Sequence, residues 1–390
     1  MKIMQIDQNY QFGGGTEQYF LSIMDLLEKK GHAQVVVFSN KTDKTITREW
    51  RKEYHLPGIT EEFNKAMLGK LENIINDEAP DIIYLHNVHN IFVIEQCLKQ
   101  KPTIRFIHDP SLCCFTHWKL LPGLEKLCGE RLGFSCFRKK CLKLQHKDFT
   151  QYLWRKRNLY IHSKLKKVIV ASQYMKRLLV QNGFSPSNIE INSYFVTTPP
   201  ADNVQERAKK DDICTIFYAG LIHKIKGVDL MLKALSLVKN DFIVLLAGTG
   251  EYFEEFKKMA IDLGLEKNVK FLGWVPNENL MEYYKNADLV LVPSFWIEAF
   301  GIVGIEAMAS SRPVIAFDTG GISEWLKDNV NGFLVPRGSL VILAEKIDLL
   351  LSDARLRARM GVAGRRLYED NFTKDIHLGK LINMMQRIKK

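Results

Sequence analysis

Nowhere in its 390 residues does this chain hold an apolar run near the roughly 20 residues that a membrane-spanning helix needs. Cysteine is sparse: there are seven, an odd number, with no CxxC pair, which argues against a complete disulfide framework and against a zinc finger. The early glycines are not followed by GK[ST], so a Walker phosphate loop is missing, and they do not form a dinucleotide G-x-G-x-x-G. No D-x-D triplet occurs, and a site that works without a metal ion is the expectation. The opening, MKIMQIDQNYQFGGG, is broken by Asp7 before a signal-peptide core can form. A soluble, cytoplasmic protein is therefore expected.

What is present is a large globular composition. Hydrophobic residues make up 46%, too many for a disordered chain. A single core stops growing near about 250–300 residues, so two domains are expected. The opening reads as strand (KIMQI), glycine loop (13–15) and helix (TEQYFLSIMDLLEKKGH). AQVVVFS, DIIYLHN, TIRFIHD and KKVIVAS follow as further strands. Between Asn192 and Asp212 the pattern lapses into prolines and dense charge, which marks a linker. Alternation then restarts with CTIFYAG, DFIVLLAGTG, NVKFLGWV, ADLVLVPS, RPVIAFD and NGFLVP. Strands alternating with helices imply parallel sheets covered on both faces. The expected fold is α/β, with two doubly wound, Rossmann-like domains: 1–195, a linker 196–212, and 213–375. A C-terminal helix at 376–390 either closes the second domain or crosses back to the first. Ligands of open parallel sheets lie beyond the carboxyl ends of the strands, so the two domains are expected to face each other across a cleft.

The net charge is +11, and its placement says more than its size. Between Arg138 and Val180 thirteen Lys or Arg stand against one acidic residue, Asp148, so this segment carries +12 and the remainder of the chain −1. It reads either as a solvated helix face or as a docking surface for anionic lipid or a phosphate-bearing acceptor. No nucleic-acid motif accompanies it, so nucleic acid is not an expected partner. Five cysteines cluster at 113, 114, 128, 136 and 141. Free thiols are the simpler reading; a structural zinc or a redox-sensitive staple is the other.

Three stretches could do chemistry. Gly13, Gly14 and Gly15 sit between a strand and a helix, where bare amides and a helix N-terminus make an anion site; a tight turn would look the same. In YAGLIHKIKGVDL, Lys224 and Lys226 stand at a helix mouth, and Lys226, beside Gly227, is placed to meet a phosphate. The third stretch, SFWIEAFGIVGIEAMA (294–309), buries Glu298 and Glu306 in apolar sequence. A buried carboxylate must be paired or hydrogen-bonded. Glu298 precedes a helix and Glu306 lies inside it, roughly 7–8 Å of helical rise beyond Gly301. Carboxylates only accept hydrogen bonds, so hydroxyls are their natural partners. The amides of Phe300, Gly301 and Ile302 open that helix between them, where an anion fits. Diol, diphosphate and sugar hydroxyls in one line describe a nucleoside diphosphate sugar. Taken singly, Glu298 also reads as a charge complementing a helix dipole and Glu306 as half of a buried salt bridge.

The run Glu298-Ala-Phe-Gly-Ile-Val-Gly-Ile-Glu306 resembles the E-x7-E signature of the group 1 (family 4) glycosyltransferases, which have a GT-B fold. GGGTEQYFLSIMDLLEKKGH, IHD, AGLIHKIKGVDLMLKAL, LLAGTGEY, FLGWVP, ADLVLVPS, EAMASSRPVIA, TGGISEWL and NGFLVP follow the family's order over nearly the whole chain. The resemblance implies that Lys226 neutralises the donor diphosphate with help from Gly13–Gly15, that Glu306 holds ribose hydroxyls, and that Glu298 orients the donor sugar. It implies further that His108 reaches that sugar near its anomeric carbon and that Trp274 and Val275 receive the nucleobase. Leu221 stands where the family often has Arg, one cation fewer unless Lys224 or His223 substitutes. Ser311 replaces a usual glycine.

The activity so implied is retaining, metal-independent transfer of a sugar from a nucleoside diphosphate sugar, a co-substrate rather than a cofactor, to an acceptor hydroxyl. Surface polysaccharide or lipopolysaccharide assembly is the expected setting, with an anionic glycan or lipid-linked acceptor and contact with the inner face of the plasma membrane through 138–180. Two alternatives stand beside it: a nucleotide-sugar-binding subunit without catalysis, and glycoside hydrolysis by the two glutamates.

Overall fold

The computed structural model describes residues 1–10, 14–40, 51–59, 63–123, 126–196 and 213–389. Gly13 and nearly all of the expected linker lie outside them. The chain forms two compact units, Met1–Tyr194 with Asp375–Lys390, and Phe195–Lys374.

Among the described residues the first unit holds seven parallel strands: β1 (Lys2–Asn9), β2 (Ala33–Asn40), β3 (Lys52–His55), β4 (Ile82–Leu85), β5 (Thr103–Phe106), β6 (Lys167–Val170) and β7 (Ile189–Ile191). Their order in the sheet is β3-β2-β1-β4-β5-β6-β7. The central strands β4 and β5 are buried along their whole length, because helices cover both faces, and they read as unbroken apolar runs. The edge strands are short, β3 (KEYH) largely polar and β7 (IEI) only three residues long, and the sequence reading missed both. The C-terminal helix, Lys374–Lys389, packs on this unit. Its Lys389 pairs with Asp81 at 3.0 Å and its Arg387 with Glu190 at 3.3 Å. Its buried His377 accepts from the Tyr19 hydroxyl at 3.0 Å while its other ring nitrogen donates to the Ser193 carbonyl at 2.7 Å.

The second unit repeats the plan with six parallel strands among the described residues: β8 (Cys214–Ala219), β9 (Phe242–Ala247), β10 (Val269–Gly273), β11 (Leu289–Val292), β12 (Val314–Phe317) and β13 (Gly332–Val335). Their order is β10-β9-β8-β11-β12-β13. From β8 the chain builds outward one way, and from β11 it builds outward the other way. The β8/β11 boundary is therefore the topological switch point, where the loops beyond the carboxyl ends diverge and leave room for a ligand.

Candidate functional site

Two loops meet at the β8/β11 switch point. After β8 the chain turns through a short 3-10 helix, Lys224–Lys226, into the helix Val228–Leu235. Gly227 makes that turn with φ +67°, and a Cβ there would fall 1.9 Å from the Pro293 carbonyl oxygen, so only glycine fits. After β11, the amides of Phe295 and Trp296 both donate to the Ile225 carbonyl, at 2.9 and 3.0 Å. The loops are thus tied backbone to backbone.

This tie brings Lys226 to Glu298. Its ammonium donates to Glu298 Oε1 at 2.6 Å and lies 4.8 Å from the Trp296 ring centre. The same oxygen accepts from Ser294 Oγ at 2.6 Å and from Trp296 Nε1 at 2.9 Å. Burial would raise the Glu298 pKa, but the Lys226 charge and these three donors hold it below the ordinary value, so the buried carboxyl stays ionised. Its backbone is fixed from β12: the Gly321 amide donates to the Glu298 carbonyl at 2.7 Å. Gly320, at φ +59°, comes so close that a Cβ would sit 2.1 Å from that carbonyl.

Glu306 lies on the helix Ile302–Ala309, whose N-cap is Gly301. It accepts from the Tyr284 hydroxyl at 2.7 Å. Burial raises its pKa and the Tyr284 bond offsets this only in part. First-turn amides have no carbonyl within their own helix to bond, so Gly301 and Ile302 present a positive helix end beside the Glu298 loop. Trp325, fully buried, holds this corner: its Nε1 donates to the Phe300 carbonyl at 2.6 Å, and its ring packs so tightly on Gly304 that a Cβ there would meet it at 2.1 Å.

The structure thus gathers Lys226, Glu298, Phe300, Gly301, Ile302 and Glu306 at one switch point. Lys224, two residues before Lys226, pairs with Glu255 of the helix Phe253–Asp262 at 3.0 Å and lies 4.5 Å from the Tyr252 ring centre. Trp274 and Val275 follow β10, at the far end of the sheet order; the Trp274 ring is largely exposed and Val275 is buried. Sequence reasoning singled out the loop with Gly320 and Gly321 but gave it no role, and it missed Ser294, Trp296, Tyr284 and Trp325. The first two were within reach, because they lie four and two residues before Glu298. The others come from separate elements.

In the first unit, Gly14 caps the helix Gly15–Lys29, whose first turn carries Glu17, so that helix end already has an acidic neighbour. His108 follows β5 and is buried. Its Nδ1 pairs with the Tyr194 hydroxyl at 2.6 Å, and its Nε2 has no hydrogen-bond partner among the described residues. Burial pushes its pKa down to about 3, so the ring is neutral. The cysteines 113, 114, 128, 136 and 141 are free thiols, and among the described residues no group of three or more His, Cys, Asp or Glu side chains is arranged to hold a metal ion. No described helix is long and apolar enough to cross a membrane.

Residues 13–198 match the family model described as Glycosyltransferase Family 4, and residues 200–367 the model described as Glycosyl transferases group 1. The uncharacterized glycosyltransferase MJ1607 of Methanocaldococcus jannaschii is 30% identical over 207 residues, 50% of this chain and 52% of that protein. The match thus spans about half the length of that relative. Among solved structures, Anabaena Alr3699/HepE in complex with UDP superposes with a TM-score of 0.76 over 99% of this chain and 100% of that one, at 19% identity. The same Anabaena protein has been solved with UDP-glucose. The lipopolysaccharide outer core galactosyltransferase WaaB superposes with a TM-score of 0.73 over 99% of both chains, at 16% identity. At these identities the likeness is one of fold, and it identifies the α/β architecture as GT-B. With both halves matched by the two family models, the chain belongs to the group 1 (family 4) glycosyltransferases.

Proposed function

We propose that the chain transfers a glycosyl group from a nucleoside diphosphate sugar to an acceptor hydroxyl, with retention of anomeric configuration, as the family implies. One observation carries the reading: Lys226, Glu298 and the open helix end at Gly301–Ile302 converge at the β8/β11 switch point. In the proposed role the diphosphate takes the Lys226 ammonium and the helix amides, and Glu298, released from its lysine, accepts from donor-sugar hydroxyls. Glu306 accepts from the ribose diol beside the Tyr284 hydroxyl. Trp274 and Val275 flank the base, and His108 meets the donor sugar with its unpaired Nε2.

Catalysis then consists of placing positive potential where the leaving diphosphate gathers charge. The backbone that carries the lysine and the amides is tied before the donor arrives, so little backbone reorganisation accompanies the reaction. Support for the donor class comes from the Anabaena protein of the same fold, which binds UDP and UDP-glucose. Support for a setting in surface polysaccharide or lipopolysaccharide assembly comes from the WaaB likeness. The test is consumption of nucleotide sugars by purified protein with glycan or lipid-linked acceptors. Transfer by the wild type, abolished in Glu298→Gln, supports the proposal. Donor binding with no turnover on any acceptor favours a binding subunit instead.

A further inference from the structure

The surface built by residues 134–160 plays no part in the donor site. Its short helix, Ser135–Arg138, is joined to the long helix His146–His162 by ring contacts. Phe134 meets Phe137 at 5.8 Å, Phe137 meets Tyr152 at 5.5 Å, and Tyr152 meets Phe149 at 6.2 Å between ring centres. The outer members of this aromatic ledge remain in solvent, Phe134 with 74% of its surface exposed and Phe149 with 52%. Leu144 (86%) and Leu153 (52%) extend it. The opposite side of the long helix already buries Asn158, Leu159 and His162, so the outward apolar stripe is not needed for packing.

Cations frame the ledge. Lys139, Lys140, Lys143 and Lys147 are all exposed. The segment's one acid, Asp148, is turned back to accept from the Lys143 amide at 2.6 Å. The rest of the basic segment divides away from this face. Arg155 donates to the Ser111 carbonyl, Arg157 pairs with Glu95, Lys167 with Glu190, and Lys176 donates to the Ile189 carbonyl. The net charge of 138–180 is therefore not one surface: part of it is taken up by these contacts, and Lys139, Lys140, Lys143 and Lys147 are the exposed part that adjoins the apolar side chains in sequence.

We propose that this face docks on an anionic lipid bilayer. Phe134, Leu144, Phe149 and Leu153 enter the boundary between headgroups and acyl chains, and the four lysines meet the lipid phosphates. An interfacial helix combines these two features, an apolar stripe and flanking cations, and each basic residue near an anionic surface adds to the attraction. Charge complementarity selects the occupant: four exposed cations in nine residues, with no ion pair among the described residues, match a plane of uniform negative charge.

The full chain is floated with vesicles of phosphatidylcholine alone and of phosphatidylcholine with phosphatidylglycerol. Binding to the anionic vesicles is expected to exceed that to the neutral ones by about tenfold or more, and to weaken as salt is raised. F149S/L153S is expected to lose most of it at low salt, as is K139E/K143E/K147E, with unchanged circular dichroism and Tm because all five side chains are exposed. Three results would overturn the proposal: equal binding to neutral vesicles, anionic binding indifferent to F149S/L153S, or a dimer in sedimentation that F149S/L153S dissolves. Sugar transfer to a soluble acceptor is a separate readout, so a failure here leaves the donor site untouched.

Discussion

Glu298 keeps its charge in a buried setting because Lys226, Ser294 and Trp296 all donate to it. The two charges belong to one unit of function, and breaking a buried pair leaves the survivor uncompensated. Lys226→Ala is therefore expected to lower kcat about 100-fold while weakening donor affinity by less than about tenfold, since the lysine acts most on charge that develops as the diphosphate departs. Steady-state kinetics against a direct binding titration separates the two. The same substitution should raise the Glu298 pKa. With Lys226 in place the carboxyl is held below its ordinary value of 4.5, so its stabilisation is complete above pH 4.5 and is lost as pH falls through the folded value. In Lys226→Ala that loss begins at higher pH, and pH-dependent denaturation of the two proteins should show the acid limb moving upward.

At the scale of elements, the corner that holds the helix Ile302–Ala309 is closely packed. Gly304→Ala would drive a methyl group into the Trp325 ring at 2.1 Å, and the ring is pinned by its bond to the Phe300 carbonyl. A destabilisation of about 1–3 kcal/mol is expected from overpacking, measurable in urea denaturation. Donor affinity should fall with it, because the Gly301 end of the helix must shift. This corner also shows how far the sequence could be read. Strands β8, β9, β11 and β12 announced themselves as apolar runs, since burial on both faces leaves no polar alternation. Edge strands β3 and β7 did not, β3 being short and polar and β7 only three residues long. The spacing of Glu298 and Glu306 was visible because both lie in one stretch. Trp325 and Tyr284 were not, because their bonds to this stretch come from elements 25 and 22 residues away. The Lys224–Glu255 pair was hidden for the same reason, as Glu255 belongs to the helix Phe253–Asp262.

Across the whole molecule the two units differ in how they meet acid. The first buries four neutral histidines. Burial holds His108 at about 3 and His377 at about 4, and keeps His86 and His162 well below their ordinary value of 6.5. Below pH 6.5 the unfolded chain binds protons at these rings and the folded unit does not, so stability falls with pH. The cost is about 2 kcal/mol per histidine at pH 5 relative to pH 7. Asp7 works the other way: burial holds its carboxyl at about 7, so the folded form takes up a proton first and offsets part of the loss. In the second unit Glu298 loses stabilisation only below pH 4.5, and the raised Glu306 gains on acidification. Hydrogen exchange at pH 5, corrected for intrinsic rates, is therefore expected to show β1, β4 and β5 opening before β8, β11 and β12. The reverse order would refute this assignment.

The central claim, that the β8/β11 switch point of the second unit receives a nucleoside diphosphate sugar, is tested most directly by the shift in Tm on adding a panel of nucleoside diphosphates and their sugars to the wild type, Glu306→Gln and Lys226→Ala. A ligand that binds only the folded state must raise Tm. The account predicts a rise for at least one base, larger with its sugar attached, and reduced in Glu306→Gln. A panel that leaves the wild-type Tm unmoved, or a shift that neither substitution alters, would contradict it.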